Sequence, residues 1–346
     1  MSGAPALAAG AVACLFSATA AVPLKRLAVR WSFTDRPGGH KKHLRPTPYL
    51  GGIAIALATV LPAMAALGLA DERLTAILLA ASAVALLGLI DDIASLPALT
   101  RLTVETVSAI GVVLAGVELT VTGGWPDGLI TVIWIVVLTN SFNLLDNMDG
   151  SLGTVAAVTA VFLAGAAFLR GQPDLGLLLV VLAGAVLGFL PHNWSPAKMF
   201  MGDAGSLFIG FVLTCSAVAL VTGQGPGTTI AGLLLPTLVA TVDTGVVFLS
   251  RLRAGRSPLM GGTDHVSHRL RWLGFDARSV AMLLALIAVF AGALLSVTVV
   301  GWVPPLSAAI VAGGLAVGLI SLLLSVNVDT PHRPVENPPR IRERRR

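Results

Sequence analysis

Two neighbouring carboxylates, Asp91 and Asp92, stand at the end of a long apolar run. Adjacent acids at a membrane boundary are costly unless a cation or protons compensate their charge. The pair therefore indicates chemistry that involves a bound cation. The alternative is structural, with the acids capping a following helix near Arg101.

A second polar group closes another apolar run. Asn140, Asn143 and Asp146 recur at three-residue intervals, which places them on one face of a helix, and Asp149 begins the turn before Gly150. Asp149 alone is explained equally well as the N-cap of the next helix. Asn143 and Asp146 are not, so the group predicts a polar wall at a helix end.

A third group runs from Asn193 through Phe200 to Asp203, which lies between Gly202 and Gly205 at a predicted helix start. Glycine allows a ligand to approach the backbone closely, and helix N-termini favour phosphate. The segment therefore predicts a phosphate or metal site. An N-cap role for Asp203 is the simpler alternative.

Two basic loops complete the set. The loop 251–278 carries His265, His268 and Arg269. Two histidines beside an arginine suit metal or phosphate, and the arginine and the lack of cysteine favour phosphate, with plain solvated surface as the alternative. The stretch 35–52 carries the basic candidates, and its proline and glycine spacing predicts a shaped loop over a helix start. Those candidates are Lys41 and Lys42.

Two acids lie within apolar runs. Asp243 is about 10 Å from the end of its run at 1.5 Å per residue, and an ionisable residue inside a membrane is a functional candidate. The alternative is a protonated carboxyl that bonds a neighbouring helix. Glu105 is placed to pair with Arg101, one helical turn away.

Membrane helices must position these residues. Of the 346 residues, 55% are hydrophobic and 12% are charged, and the mean hydropathy is +0.86. This composition excludes a soluble globular enzyme, a disordered chain and a coiled coil, and the absence of alternating segments excludes an outer-membrane barrel. We predict an all-α polytopic membrane protein with about eleven transmembrane helices, ten being the alternative. The expected spans are 3–24, 49–70, 74–90, 102–122, 129–145, 152–169, 174–191, 204–222, 228–250, 279–300 and 304–326.

The distribution of charge predicts an orientation. With residues 25–48 in the cytoplasm, 21 of the 23 Lys and Arg residues lie on the cytoplasmic side, and only Arg73 and Arg170 lie outside. The N-terminus is then outside, and every polar cluster faces the cytoplasm. Residues 1–326 are predicted to form one catalytic domain, and residues 327–346 a disordered basic cytoplasmic tail. The basic pI therefore requires no nucleic acid.

Carboxylates and basic residues on one side of a membrane favour a divalent cation and phosphate. Mg²⁺ is usually held by one or two carboxylates together with phosphate oxygens. The site is open to soluble nucleotides and lies at the depth of lipid head groups. The sequence thus predicts phosphoryl transfer between a soluble nucleotide compound and a lipid of the cytoplasmic membrane.

The five groups, in this order, resemble the motifs of the polyprenyl-phosphate N-acetylhexosamine-1-phosphate transferase superfamily (glycosyltransferase family 4) over residues 25–275. That superfamily includes the MurNAc-pentapeptide translocase and the UDP-GlcNAc:undecaprenyl-phosphate GlcNAc-1-phosphate transferases. The resemblance implies a Mg²⁺-dependent reaction, with Mn²⁺ able to substitute. A polyprenyl phosphate attacks the β-phosphate of a UDP-N-acetylhexosamine, most simply UDP-GlcNAc, and UMP leaves. An aspartyl-phosphate intermediate is the alternative to direct attack.

The resemblance also implies roles for individual residues. Asp91, Asp92 and Asp203 are the catalytic candidates, with Asp203 and Asp92 as metal ligands. Phe200 is expected to stack on uracil. The remaining residues expected to bind substrate are Lys41, Lys42, Asn143, Asp146, Asp149, Asn193, His265, His268 and Arg269.

Two departures from the family pattern leave the identity of the transferred sugar open. Asn147 stands where glycine is commoner, and the histidine motif reads His-x-x-His. The muramoyl-pentapeptide enzyme is the alternative within the superfamily, although eleven spans favour the GlcNAc branch, and a homodimer remains open. A CDP-alcohol phosphatidyltransferase would need Ala-Arg in the motif that begins at Asp149-Gly150, which is absent. A secondary transporter would place its ionisable residues nearer the midplane.

Overall fold

The computed structural model describes residues 3–35, 47–68, 70–257 and 262–326. Within these ranges the chain forms thirteen α-helices and one antiparallel ribbon of two-residue strands. The sequence predicted helices but not the ribbon. Lys41, Lys42 and the predicted tail 327–346 lie outside the described residues. The elements are α1 (Gly3–Arg30), β1 (Thr34–Asp35), β2 (Thr47–Pro48), α2 (Gly51–Leu67), α3 (Glu72–Ala94), α4 (Ala98–Leu114), α5 (Pro126–Leu145), α6 (Ser151–Leu169), α7 (Pro173–Asn193), α8 (Gly202–Val221), α9 (Pro226–Leu234), α10 (Leu238–Arg253), α11 (Val266–Trp272), α12 (Ala277–Val299) and α13 (Pro305–Leu324).

The long apolar runs form helices because a helix satisfies its backbone hydrogen bonds internally, as a lipid environment requires. In the described part of the chain, eight helices are long and apolar enough to cross a membrane, and a ninth span results if α9 and α10 are counted together. The prediction of an all-α polytopic membrane protein is confirmed. Each predicted span coincides with a helix or with the α9–α10 pair, but the number eleven stays a prediction because α2 and α4, with 17 residues each, are shorter than the eight helices counted above.

The run 228–250, predicted as one span, is broken in the structure. Helices α9 and α10 meet at an angle of 74° across residues 235–237. Pro236 stands in this break. Proline has no backbone N–H to donate to the carbonyl oxygen one turn earlier, so the regular helical hydrogen bonding is interrupted there and the chain restarts in a new direction.

Helix α8 lies at the centre of the bundle. In the most apolar stretch of α8, 94% of the residues are buried. The corresponding share is 72% for α7 and lower for each of the other six helices that are long and apolar enough to span a membrane. Helices α2, α3 and α5 pack around α8, while α1, α2 and α6 pack around α7. Because α8 begins at the third polar group of the sequence, the buried centre of the fold fixes the position of that group.

Small residues let α1 and α7 approach closely. A Cβ atom at Gly184 would lie 2.1 Å from the carbonyl oxygen of Gly10, and one at Gly188 would lie 2.1 Å from that of Cys14. The two glycines are four residues apart, so they form one small-residue face. This is a common way for membrane helices to pack, since lipid provides no hydrophobic force between them.

The start of α2 is docked on the segment that leads into α8. The backbone N–H groups of Gly51 and Gly52 donate to the carbonyl oxygens of Phe200 (3.1 Å) and Met201 (2.8 Å), and that of Phe200 donates to Pro48 (2.8 Å). The Gly-Gly pair therefore begins α2 in contact with the segment that precedes α8. It lies at the same end of the bundle as Asp203.

Candidate active site

Asp92 joins the end of α3 to the start of α8. Its Oδ1 accepts a hydrogen bond from the backbone N–H of Asp203 (2.9 Å), and its Oδ2 accepts one from that of Ala204 (3.2 Å). These are unpaired donors of the first helical turn, so Asp92 caps α8 rather than the following helix α4. Gly202 has φ +68°, and a Cβ atom there would lie 2.4 Å from Asp92 Oδ2. Glycine is thus required at this approach.

Arg101, at the start of α4, bridges the other two acids. Its Nη1 lies 2.6 Å from Asp91 Oδ2 and 3.2 Å from Asp203 Oδ2. The second oxygen of Asp91 accepts the backbone N–H of Leu96. One guanidinium group therefore offsets the charge of two carboxylates that come from different helices.

Asn143 holds Asp203 from the other side. Its Nδ2 donates to Asp203 Oδ1 (2.9 Å) and to Ser206 Oγ (2.7 Å). Asn143 stands on the last turn of α5, as the spacing of the polar residues predicted. The Asp203 carboxylate is consequently oriented by an arginine and an amide, and the two contacts come from α4 and α5.

Asp146 lies directly after α5 and is half-buried. Desolvation, reinforced by the negative charges of Asp203, Asp92 and Asp149, raises the pKa of the Asp146 side chain well above its usual range. Three further carboxylates therefore surround this acid. A bound cation would stabilise such a concentration of negative charge.

The loops after α5 and α7 are tied together by two predicted site residues. Asp149 Oδ2 accepts the backbone N–H of Ala197 (2.9 Å), and Asn193 Oδ1 accepts that of Gly150 (3.0 Å). Asn193, the last residue of α7, is buried, while Phe200 in the loop that follows is half-buried. The structure thus gives Asp149 and Asn193 a structural contact each, and their substrate-binding roles stay predictions.

Asp243 holds the histidine motif. The carboxylate is buried in α10, its Oδ2 lies 2.8 Å from His265 Nδ1, and its Oδ1 accepts the backbone N–H of Val266 (2.8 Å). Asp243, predicted to lie inside the membrane, is therefore bonded to the histidine motif just before and at the start of α11. A carboxylate partner of this kind fixes the orientation of an imidazole ring.

Asp264, just before His265, is paired with two arginines. Arg256 Nη2 lies 2.6 Å from its Oδ1, and Arg251 Nε lies 3.2 Å from its Oδ2. Partial burial raises the pKa of the Asp264 carboxyl, but the hydrogen bonds and charges of Arg256 and Arg251 outweigh it, so the pKa is lower than usual. This pairing anchors the motif to the end of α10.

Arg269 is directed into the protein. Its Nη1 donates to the carbonyl oxygens of Leu323 (3.0 Å) and Val326 (2.8 Å), and its Nη2 donates to Ser250 Oγ (2.8 Å). The side chain is buried and ties α11 to the ends of α10 and α13. Binding of substrate by Arg269, which the resemblance implied, stays a prediction.

The structure thus gathers the described members of the predicted set at one end of the bundle. Asp91, Asp92, Asn143 and Asp203 belong to one hydrogen-bonded cluster. Ser267 Oγ, between the two histidines, donates to Asn147 Oδ1 and so joins the histidine motif to the end of α5.

Arg101 is the residue that sequence reasoning missed as a member of the site. Its two acidic partners are ten and 102 positions away in the chain. One feature of the sequence pointed to it, because it is the only Lys or Arg between Arg73 and Arg170. A lone cation in so long an apolar region needs anionic partners.

A Mg²⁺ ion at this cluster would take carboxylate ligands from the protein and phosphate oxygens from a substrate. Within the described ranges, no three His, Cys, Asp or Glu side chains converge to hold a metal ion. Asp91 and Asp203, however, present hard carboxylate oxygens to one shared cationic group, Arg101. Two carboxylates completed by phosphate oxygens are a usual Mg²⁺ environment. Both oxygens of Asp92 already accept backbone N–H groups.

The fold and the site define a polytopic helical membrane protein with an acid-lined polar site at one end of its bundle. Residues 74–221 match the family model Glycosyl transferase family 4. A Streptomyces coelicolor protein named only as a glycosyltransferase is 40% identical over 319 residues, which cover 89% of this chain and 74% of that protein. The chain therefore belongs to glycosyl transferase family 4.

Two further relatives carry more specific names. The decaprenyl-phosphate N-acetylglucosaminephosphotransferase of Mycolicibacterium smegmatis is 33% identical over 302 residues, covering 75% of this chain and 74% of that protein. The phospho-N-acetylmuramoyl-pentapeptide-transferase of Limosilactobacillus fermentum is 32% identical over 165 residues, covering 48% of this chain and 51% of that protein. The similarity to the first extends over a much larger part of both chains.

Proposed function

We propose that this protein transfers N-acetylglucosamine 1-phosphate from UDP-GlcNAc to a polyprenyl phosphate and releases UMP. The observation that carries the proposal is the cluster of Asp91, Arg101, Asn143 and Asp203 at one end of an apolar bundle. The name of the mycobacterial relative supports the lipid and the sugar. The site is proposed to face the cytoplasm, as the distribution of basic residues predicts.

Mg²⁺, with Mn²⁺ able to substitute, is proposed to be held by Asp203, with Asp91 or Asp92 as the second carboxylate. The ion would neutralise charge on the diphosphate of the donor. An oxygen of the lipid phosphate forms a new bond to the β-phosphorus, while the bond from that phosphorus to the bridging oxygen breaks and UMP leaves with that oxygen. A phosphate is already an anionic nucleophile, so the protein needs mainly to neutralise charge and align the groups.

The chain's own residues perform the alignment. Arg101 and Asn143 fix the Asp203 carboxylate, and Asp92 fixes the helix that carries it. The basic residues and histidines are proposed to bind the sugar-phosphate part, and Phe200 to stack on uracil. The other proposed donor-side residues are Lys41, Lys42, Asp146, Asp149, Asn193, His265, His268 and Arg269.

UMP release by the purified protein tests the proposal. We expect release with polyprenyl phosphate, Mg²⁺ and UDP-GlcNAc, and none with EDTA. UDP-GalNAc and UDP-MurNAc-pentapeptide are supplied separately, because release from the latter alone would establish the muramoyl alternative. No lipid-dependent release from any of the three donors would contradict the proposed reaction.

Asp203→Asn tests the assignment of the metal. The substitution removes the negative charge but keeps the shape of the side chain, so we expect UMP release to fall at least a hundredfold while the protein still folds and inserts. Asp174→Asn, at the opposite end of the bundle on the first turn of α7, is the matched control and should leave the rate unchanged. A near-normal rate for Asp203→Asn would show that the metal assignment is wrong.

A further inference from the structure

Asn147 and Ser267 connect the end of α5 to the histidine motif. Asn147 is half-buried just after α5, and Ser267 is fully buried in α11. Ser267 Oγ is hydrogen-bonded to Asn147 Oδ1 and lies 3.2 Å from Nδ1 of its neighbour His268. One hydroxyl group therefore contacts an amide oxygen on one side and an imidazole nitrogen on the other.

The donors and acceptors in this chain of contacts can be assigned one after another. Asn147 Nδ2 donates to the carbonyl oxygen of Leu144 (2.7 Å), and a carbonyl can only accept. This fixes the amide, so Asn147 Oδ1 faces Ser267 as an acceptor. The single hydroxyl proton of Ser267 must then go to Asn147. Because that proton is used, Ser267 Oγ can only accept from His268 Nδ1, which must carry a proton.

The neighbouring histidine reaches the same state through a different partner. His265 Nδ1 faces the carboxylate of Asp243 at 2.8 Å, and an ionised carboxylate can only accept. With Asp243 ionised, Nδ1 of His265 carries a proton as well. The two rings lie close together, with centroids 5.8 Å apart. In a neutral imidazole with its proton on Nδ1, Nε2 is the basic nitrogen.

We infer that Asn147 and Ser267 are positioning residues that hold His268 in its Nδ1–H tautomer. The consequence for turnover rests on the proposed function. An Nε2 of this kind accepts a proton or, when protonated, donates to a phosphate oxygen. The two histidines then act as a matched pair, one held by a buried acid and the other by an uncharged serine–asparagine contact.

Nitrogen NMR of the full-length protein labelled with ¹⁵N-histidine tests the tautomer without any substrate. The chain has six histidines, and the His268→Gln variant identifies the signal of His268. At a pH about two units above the ordinary histidine pKa of ~6.5, we expect His268 to carry its proton on Nδ1. In Ser267→Ala the proton should move to Nε2, the form an unconstrained imidazole prefers. An Nε2–H signal in the unsubstituted protein, or no change in Ser267→Ala, would overturn the inference.

Activity measurements test whether the contact acts through His268. Ser267→Ala and Asn147→Ala should each lower kcat/KM for UMP release about three- to tenfold, the effect of one ordinary hydrogen bond. The double variant should be no worse than Ser267→Ala, and Ser267→Ala should have no further effect in a His268→Ala background. Additive losses, or a full loss in that background, would show that the pair does not act through His268.

Ser296→Ala is the control for loss of a serine hydroxyl, since Ser296 Oγ donates to the backbone carbonyl of Gly292 within α12; it should leave kcat/KM unchanged. If Ser267→Ala does not fold, Asn147→Ala provides both readouts, because it removes the acceptor that directs the serine proton. If the unsubstituted protein releases no UMP, the proposed function fails, while the NMR experiment still decides the tautomer.

Discussion

Arg101 carries the charge balance of the acidic cluster. Asp91 and Asp203 come from α3 and α8, and the guanidinium group between them is the contact that brings their oxygens together. Sequence spacing predicted that the acids lie at helix ends on one side of the membrane, and the structure places them at helix ends at one end of the bundle. It could not show which cation joins them, because that contact spans 102 residues and depends on how α4 packs.

Replacing Arg101 tests this role. In Arg101→Ala we expect kcat/KM for UMP release to fall at least about tenfold, the equivalent of one charge-assisted hydrogen bond. Arg101→Lys should recover part of the loss, because it keeps the charge but not the planar group that reaches both acids. Arg73→Ala, an exposed arginine at the opposite end, is the control. If Arg101→Ala keeps more than half of the rate, the bridge is dispensable.

Asp243 shows where residue-level reasoning left a choice open. The sequence offered a functional acid or a protonated carboxyl bonded to a neighbouring helix. In the structure its oxygens contact His265 and the backbone of Val266, across the loop from its own helix. The pattern alone did not indicate this pairing, because residues 22 and 23 positions apart are brought together by the turn between α10 and α11.

At the scale of the elements, helix ends position the site. The end of α3, the end of α5 and the start of α8 supply Asp92, Asn143 and Asp203. The apolar runs predicted these helices because their length and composition match membrane helices. The break between α9 and α10 was not predicted, since the run remains apolar through Pro236 and only the proline marks it.

The start of α2 gives a test of this element-level positioning. A Cβ atom at Gly52 would lie 2.1 Å from the backbone nitrogen of Gly205 in α8. Gly52→Ala should therefore push α2 away from α8 and destabilise the protein by about 1–3 kcal/mol, as overpacking does, with a loss of activity. Thermal unfolding of the detergent-solubilised protein measures the change.

Gly111→Ala is the matched control for this test. Gly111 lies within α4, and nothing lies within 4 Å of a Cβ atom built there. The substitution should leave stability unchanged or raise it by up to about 1 kcal/mol, because alanine favours a helix more than glycine. Equal effects of the two substitutions would show that close packing at Gly52 does not position α2.

At the scale of the whole molecule, alternate connections meet at one end. The first turn of α2 is hydrogen-bonded to the backbone of Met201, and Asp92 on the last turn of α3 is hydrogen-bonded to the start of α8. The chain therefore leaves the site along α2 and returns to it along α3. In the same way α4 carries Arg101 on its first turn, and α5 carries Asn143 on its last turn. The short helices α2 and α4 therefore extend from the site to the opposite end of the bundle, as the longer spans do. Each has 17 residues, or about 25 Å at 1.5 Å per residue.

This arrangement predicts that α2 and α4 cross the membrane, and that the site lies on its cytoplasmic side. Single cysteines are introduced for labelling by a membrane-impermeant maleimide in intact cells, after Cys14 and Cys215 are replaced by alanine. Glu72→Cys and Trp125→Cys lie at the end opposite the site and should be labelled from outside. Ser95→Cys, beside the site, should be labelled only after the membrane is permeabilised.

Each pattern of labelling has a separate meaning for the topology. Trp125 follows α4 and is 85% exposed, so it reports directly on that helix. Labelling of Trp125→Cys on the same side as Ser95→Cys would mean that α4 does not cross. A complete reversal of the pattern would place the acids outside, where a soluble nucleotide donor is not available, and would contradict the cytoplasmic reaction. The expected pattern requires the basic loops and the acidic cluster to share one side, because the same helices connect them.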